Sequence, residues 1–198
     1  DHFLKSHKIE KGLMTLVDEE HQNRISNAIN LSNSNKQCGG SAANSIIGVS
    51  QFGGSSFYSC KVANDEFGHF YMKDLISNGV ETNLRSENLE LGITGKCLVM
   101  TTEDASRTMN TFLGITSNYS RAEIKEDALK DSNYLYMEGY LVTSDNGLDA
   151  MKYAKKVAED MLKAIELEKK TDIEEGSEFA TPREYRKQGY NQAIDDLI

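Results

Sequence analysis

Apolar positions along the chain recur with two different spacings, and the change from one to the other predicts alternating strands and helices. Short apolar runs bounded by turn residues predict strands at 13–17, 57–61, 96–102, 107–113 and 134–137. Apolar residues at helical spacing, with capping residues at their ends, predict helices at 1–12, 18–29, 42–52, 65–78 and 146–169. Asp65 is predicted to cap the fourth of these helices, and Gly79 to end it.

The order of these elements favours an α/β domain with a parallel sheet, because strands alternate with helices along most of the chain. Two features do not fit the alternation. The strands at 96–102 and 107–113 are joined by Glu103-Asp104-Ala105-Ser106, which predicts an antiparallel hairpin. The strand at 13–17 is the other exception.

Charge and composition exclude several classes of protein. The 198 residues are 38% hydrophobic and carry a net charge of −9 without a cluster of Lys and Arg, which argues against nucleic-acid binding. No apolar run reaches the roughly 18 residues of a membrane span, and the first residues are unlike a signal peptide. Three widely spaced cysteines and four dispersed histidines predict reduced, semi-buried thiols in a cytoplasmic protein and no metal site.

A pair of glycines, Gly39 and Gly40, stands directly before the helix predicted at 42–52. Glycine allows positive φ and lets a ligand approach where a Cβ would collide. Ser41 is predicted to be the N-cap of that helix, and Asn44 in its first turn offers a donor and an acceptor. The segment is therefore either a site for a hydroxyl-rich substrate or an ordinary turn into a helix with no ligand.

The surroundings of the glycine pair carry a resemblance to a known family. Gly-Gly-Ser-Ala-Ala-Asn at 39–44 is followed by Gly53-Gly54, by Lys61-Val62-Ala63-Asn64-Asp65 and by Thr94-Gly95-Lys96-Cys97. This order resembles the N-terminal half of the ribokinase-like (PfkB) carbohydrate and nucleoside kinases, and the adenosine kinase branch most, over residues 1–160. Cys60 and Ala63 depart from the pattern, because they stand where the family usually has glycine.

The resemblance implies a ribokinase-like three-layer α/β sandwich, here partial, with a small β-sheet lid made by the strand at 13–17 and the hairpin. Lid sheets of this family can pair between subunits, which implies a homodimer as one form of the protein. The implied activity is ATP-dependent phosphorylation of a hydroxymethyl group on a sugar or nucleoside. Gly39, Gly40, Ser41 and Asn44 would then hold the sugar hydroxyls.

Two further residues have two interpretations each. Arg107 is either a surface arginine paired with Glu103 or Asp104, or an arginine that reaches the transferred phosphate. Tyr140, placed by the sequence at the end of a strand, is a core residue on its own pattern. By the resemblance it would instead stack on the base or ring of the substrate.

The catalytic motifs of the family are missing from the chain. It contains no Gly-Ala-Gly-Asp, which in the family supplies the carboxylate and the anion hole, and no Gly-x-x-x-x-Gly-Lys-Ser/Thr. The first family strand, with its sugar-binding Asp, is also missing. ATP and Mg²⁺ are thus implied by the resemblance, with their sites outside this chain, and no catalytic residue is assigned. The alternative is a non-catalytic module for binding or self-association.

The resemblance is not followed beyond residue 160, so we divide the chain into a kinase part, 1–160, and a helical tail, 161–198. Thr181-Pro182-Arg183-Glu184 forms a capping box that predicts a short last helix. The tail is a different way of closing a fragment, a fused piece, or a chain written without its gaps. The sequence leaves these alternatives open.

Overall fold

A computed structural model of the chain describes residues 1–29 and 35–174. It divides into two compact units, Asp1–Ser117 and Asn118–Ile198. The helix predicted after Thr181 lies outside the described residues, and the division at residue 160 stays a prediction. None of the helices in the described part is both long and apolar enough to cross a membrane.

The first unit mixes helices and strands, and the short strand β3 is an element that the sequence did not predict. Its helices are α1 (His2–Ser6), α2 (Glu19–Ala28), α3 (Ser41–Gln51) and α4 (Glu66–Ser77). Its strands are β1 (Met14–Leu16), β2 (Phe57–Tyr58), β3 (Glu81–Thr82), β4 (Thr94–Thr101) and β5 (Arg107–Gly114).

Helix α1 is shorter than the predicted 1–12 because a Schellman motif ends it. Lys8 has a φ of 56°, and its N–H donates to the carbonyl of Lys5. The N–H of Ile9 donates to the carbonyl of Leu4, which completes the paired hydrogen bonds of that motif. Lysine here takes the left-handed conformation that glycine usually supplies, so the sequence carries no obvious stop signal.

Strands β1, β5 and β4 form a three-stranded sheet, called here the small sheet. Strand β4 pairs with β5 antiparallel, which confirms the predicted hairpin, and β1 pairs with β5 parallel. The connecting turn contains Ala105 at a φ of 62°, and the N–H of Ser106 donates to Asp104 Oδ1. The two features that broke the α/β alternation therefore belong to one separate sheet.

The two faces of the small sheet differ in what covers them. Thr108 and Asn110 of β5 share one face and are buried, and the Asn110 amide lies 3.3 Å from the His21 ring of α2. The opposite face carries Met14 and Val99, both in register with Met109. We call this second side the exposed face, since Met14, Val99 and Leu16 are each at least 42% accessible to solvent.

Helices α3 and α4 pack with the parallel pair β2 and β3 around the main apolar cluster of the first unit. Strand β2 ends earlier than predicted because a side chain replaces the next strand pairing. The Cys60 N–H donates to the Asn83 side-chain oxygen, and the Asn83 amide donates back to the Cys60 carbonyl, both at 2.9 Å. The cluster consists of Cys38, Cys60, Val62, Leu75, Val80 and Leu84.

The second unit contains α5 (Glu126–Lys130), a 3₁₀ helix (Gly139–Thr143) and the long α6 (Asp145–Glu174). Helix α6 confirms the helix predicted at 146–169 and continues beyond it. The strand predicted at 134–137 is wrong: the segment has no regular structure, and none of the described residues pairs with it. An extended segment becomes a strand only when a neighbour takes up its backbone groups.

Candidate functional site

The Gly39–Gly40 turn leads directly into α3. Gly40 has a φ of 99° and is the N-cap residue, so the prediction that Ser41 caps the helix is wrong. Ser41 is instead the first helical residue, and the Gly40 carbonyl accepts the N–H of Asn44 at 3.0 Å. A residue with a Cβ would be strained at the φ of Gly40, which explains glycine at this position.

The space in front of the two glycines is open. A Cβ built on Gly39 or on Gly40 would meet no atom of the described chain within 4 Å. The packing of the chain would therefore allow a side chain at position 39, where φ is not positive. Room for a close approach of another molecule is a property that both glycines share.

Two polar residues follow the glycines in the first turn of α3. Ser41 and Asn44 lie three residues apart, so they are neighbours on the surface of α3, and both are exposed. Within the described residues the Asn44 side chain makes no hydrogen bond. The first N–H groups of α3 are also available, because a helix leaves them without an internal acceptor. The turn thus gathers Gly39, Gly40, Ser41 and Asn44, while their binding role stays a prediction.

Helix α4 holds the turn from the protein side, which the sequence did not predict. The Cys38 N–H donates to Asp74 Oδ2 at 3.0 Å, and the Tyr71 hydroxyl donates to the Gly39 carbonyl at 3.2 Å. The Cys38 thiol donates to the Tyr71 carbonyl at 3.4 Å. Burial raises the pKa of Tyr71 and that of Cys38, so both remain protonated donors.

Arg107 is exposed at the start of β5 and shares the exposed face with Met109, two residues on. It forms no ion pair or hydrogen bond with any residue in 1–29 or 35–174. The expected pairing with Asp104 is replaced by Lys11, whose ammonium lies 2.8 Å from Asp104 Oδ2. Hydrogen bonds from Lys11 and then Thr102 hold the pKa of Asp104 well below its usual range.

Tyr140 lies in the second unit, on the 3₁₀ helix Gly139–Thr143, and not at the end of a strand. Its side chain is 66% exposed, so the interpretation as a core residue is wrong. Stacking on a substrate ring stays a prediction for Tyr140. A ring that is exposed on a short helix is available for such a contact.

Asp65 has a wider role than the predicted N-cap. It accepts the Gly68 N–H at 2.7 Å, as predicted for the cap, and also the Thr94 N–H at 2.9 Å and the Thr94 hydroxyl at 2.6 Å. Asp65 therefore joins the start of α4 to the start of β4. Desolvation opposes its ionisation, but the hydrogen bonds from Thr94 and Gly68 outweigh it and lower the pKa of Asp65.

Side chains that could hold a metal ion do not converge in the described part of the chain: no group of three or more His, Cys, Asp or Glu is found there. The cysteines are thiols that form no disulfide with one another, with Cys38 and Cys60 buried and Cys97 exposed. The described side chains therefore offer no ready-made cluster of protein ligands for Mg²⁺, and no step through that ion is assigned to them.

A comparison with protein families decides the family. The model of the pfkB family carbohydrate kinases matches residues 12–174. The chain belongs to this family. The match includes the glycine turn, Asp65 and the small sheet, and it continues into α6. The chain matches none of the curated proteins with which it was compared.

Solved structures agree with the family. The chain is similar to an adenosine kinase from Sinorhizobium meliloti, with 30% identity and a TM-score of 0.73, over 81% of this chain and 48% of that one. It is similar to a probable sugar kinase from Rhizobium etli, with 28% identity and a TM-score of 0.73, over the same shares of 81% and 48%.

A more distant likeness is to the Schistosoma mansoni adenosine kinase in complex with adenosine, with 20% identity and a TM-score of 0.62, over 83% of this chain and 47% of that one. At this identity the likeness concerns the fold alone. The predicted ribokinase-like α/β fold is confirmed. The chain spans about half the length of these solved relatives.

Proposed function

We propose that the chain supplies the sugar-binding turn and the lid of a kinase that transfers phosphate from ATP to a hydroxymethyl group of a sugar or nucleoside. The observation that carries the proposal is the Gly39–Gly40 turn, whose glycines face open space and lead into α3, where Asn44 is exposed and makes no side-chain hydrogen bond to a described residue. A sugar presents several hydroxyls on a compact ring. Such a ring needs close backbone approach and groups that both donate and accept hydrogen bonds.

The exposed face of the small sheet suits the role of a lid. It combines apolar side chains, Met14, Leu16 and Val99, with the cation of Arg107 at one end of β5. Apolar side chains can cover a ring and exclude water from it, while a guanidinium can bind phosphate through two parallel hydrogen bonds. Arg107 would then act on the phosphoryl group.

ATP is the phosphoryl donor that membership of a kinase family implies. The chain has no Gly-Ala-Gly-Asp motif, and its described side chains form no metal site. We therefore expect MgATP to bind residues outside this chain, and we expect the 198 residues alone to transfer no phosphate to adenosine, ribose or fructose. Formation of phosphorylated product above a heat-inactivated control would contradict this expectation.

A nucleoside is favoured over a free sugar as the ligand. The S. meliloti relative, at 30% identity, is an adenosine kinase. Tyr140, on the second unit, has an exposed ring of the kind that stacks on bases, which a free sugar lacks. A nucleoside also has more apolar surface for the exposed face to cover. The cytoplasmic location remains a prediction.

The decisive experiment is a calorimetric titration of the chain with adenosine and with ribose. Gly39→Ala is the test variant, because its methyl group meets no atom of the chain and its backbone is not strained. We expect this variant to unfold at the same temperature as the wild type and to bind adenosine at least about tenfold more weakly. Gly48→Ala, within α3 and also in open space, is the matched control and should bind normally.

The outcome of this titration separates the proposal from its alternative. Equal adenosine binding by Gly39→Ala and the wild type would show that the turn is not part of the sugar site.

Self-association is the second candidate function, and the exposed apolar side chains of the small sheet favour it. Leu16 is 59% exposed to solvent. Leu16→Glu should then convert a dimer to a monomer, as measured by analytical sedimentation. A monomeric wild type would exclude that alternative.

A further inference from the structure

The backbone just before α3 is fixed by two residues of α4 that lie one helical turn apart. Tyr71 and Asp74 are three residues apart, so their side chains lie on the same side of the helix. Asp74 accepts the N–H of Cys38, and Tyr71 donates to the carbonyl of Gly39. One side chain therefore binds a donor and the other an acceptor on consecutive residues of the turn.

These contacts are themselves supported. The Cys38 thiol donates to the Tyr71 carbonyl, which adds a third link between the turn and α4. Cys38 belongs to the main apolar cluster together with Leu75, and Tyr71 packs against that cluster. At the far end of α3, the Ser50 hydroxyl donates to the Asn78 carbonyl at 2.7 Å. Helix α4 thus holds both ends of the α3 segment.

We propose that Tyr71 and Asp74 are positioning residues, which set the conformation of the Gly39–Gly40 turn in which it binds sugar hydroxyls. This inference rests on the proposed function. Neither side chain needs to touch the substrate, since each acts through the backbone of residue 38 or 39. A turn held in its binding conformation before the ligand arrives loses less conformational entropy on binding.

The variants separate the hydrogen bonds from the packing. Tyr71→Phe keeps the ring in the apolar cluster and removes the hydroxyl, which binds the Gly39 carbonyl and also forms a hydrogen bond with Tyr58. Asp74→Ala removes the acceptor for the Cys38 N–H, whereas Asp74→Asn keeps a side-chain oxygen that can accept it. Lys73→Ala, on an exposed position of the same helix, is the control.

The first measurement is adenosine affinity of the full chain by calorimetry, with the unfolding temperature recorded for each variant. We expect Tyr71→Phe and Asp74→Ala to raise the Kd about three- to tenfold, the effect of one lost hydrogen bond. Asp74→Asn should restore binding to within about twofold of the wild type. Unchanged adenosine affinity in Tyr71→Phe and Asp74→Ala would overturn the inference.

The second measurement needs no ligand and keeps this inference distinct from the proposed function. It is the hydrogen exchange rate of the Asn44 amide, which donates to the Gly40 carbonyl and so reports on the turn. Faster exchange in Tyr71→Phe and Asp74→Ala, but not in Asp74→Asn or Lys73→Ala, supports the inference even if adenosine does not bind. Unchanged exchange overturns it. Failure of the wild type to bind adenosine or ribose overturns only the proposed function.

Discussion

The Gly39–Gly40 turn and Arg107 belong to the same unit, but they differ in how the rest of the protein holds them. The turn is bonded to α4 through Cys38 and Gly39, whereas Arg107 has no partner among the described residues. The turn is proposed to meet sugar hydroxyls, which are present in the bound substrate and in the transition state alike. Arg107 is proposed to meet the phosphoryl group, where charge develops during transfer. Substrate affinity should therefore depend on the turn, and the rate of transfer on Arg107.

The largest effect should come from a change that breaks the fixed region. Gly40→Val places a β-branched residue at a φ of 99°, a conformation that costs roughly 1–3 kcal/mol. The turn should relieve this strain by moving, which removes the backbone from the sugar. We expect adenosine affinity to fall about 100-fold or more, measured by calorimetry.

Gly48→Ala is the control for that substitution, since it changes a glycine inside α3 that has a helical φ. It should raise the free energy of unfolding by about 0.5–1 kcal/mol and leave adenosine affinity unchanged. Circular dichroism should show that Gly40→Val keeps its helices. Normal adenosine binding by Gly40→Val would mean that the turn does not approach the ligand.

The next effect concerns the free cation. Arg107→Ala in the complete kinase should lower kcat about tenfold while the sugar KM changes less, because the guanidinium meets charge that appears during transfer. Steady-state kinetics with varied nucleoside measures both constants. Arg107→Lys keeps the positive charge but cannot form two parallel hydrogen bonds to phosphate. Its kcat should lie between those of the wild type and Arg107→Ala. A normal kcat for Arg107→Ala would make Arg107 a surface residue of the sheet.

The contrast also explains what the sequence could predict. Helix α4 was predicted with its Asp65 cap and its Gly79 end, because both signals are local; Gly79 indeed has a φ of 78°. The ion pair of Asp104 could not be predicted from a local signal, because its partner Lys11 is 93 residues away in the chain. The turn itself was found from its glycines, but the contacts of Tyr71 depend on how α4 packs.

The errors have physical causes of the same kind. The segment 134–137 has an apolar pattern typical of a strand, but a strand exists only with a partner, and pattern does not reveal partners. Ser41 is a better capping residue than Gly40 by preference. The positive φ needed where the chain enters α3 outweighed that preference and made Gly40 the cap. Local preference was therefore overruled where tertiary geometry fixed the backbone.

A smaller effect should sharpen the distinction between binding and rate. Asn44→Ala removes an exposed side chain that has no partner in the described part of the protein, so its loss should not weaken the fold. The lost hydrogen bonds should weaken nucleoside binding by about 0.5–1.5 kcal/mol and leave kcat nearly unchanged. Ser45→Ala, the next residue, is the control. A fall in kcat at constant KM would assign Asn44 to the transfer step instead.

The smallest effect concerns Asp65. Its side chain connects α4, the helix that holds the Gly39–Gly40 turn, to β4 of the small sheet that carries Arg107. The pKa of Asp65 is lower in the folded protein than the ordinary value of 3.8, so its ionised form stabilises the fold above about pH 4. Asp65→Asn keeps an acceptor for Gly68 but loses one for Thr94. Its free energy of unfolding at pH 7 should be lower than that of the wild type by up to about 1 kcal/mol, since the carboxylate is partly open to solvent. The difference should shrink as the pH falls below 4 through the folded-state pKa, where the wild type also loses the charge. Urea unfolding at pH 7 and at pH 3 measures this difference in the free energy of unfolding. An equal difference at both pH values would show that the charge of Asp65 does not stabilise the connection between α4 and β4.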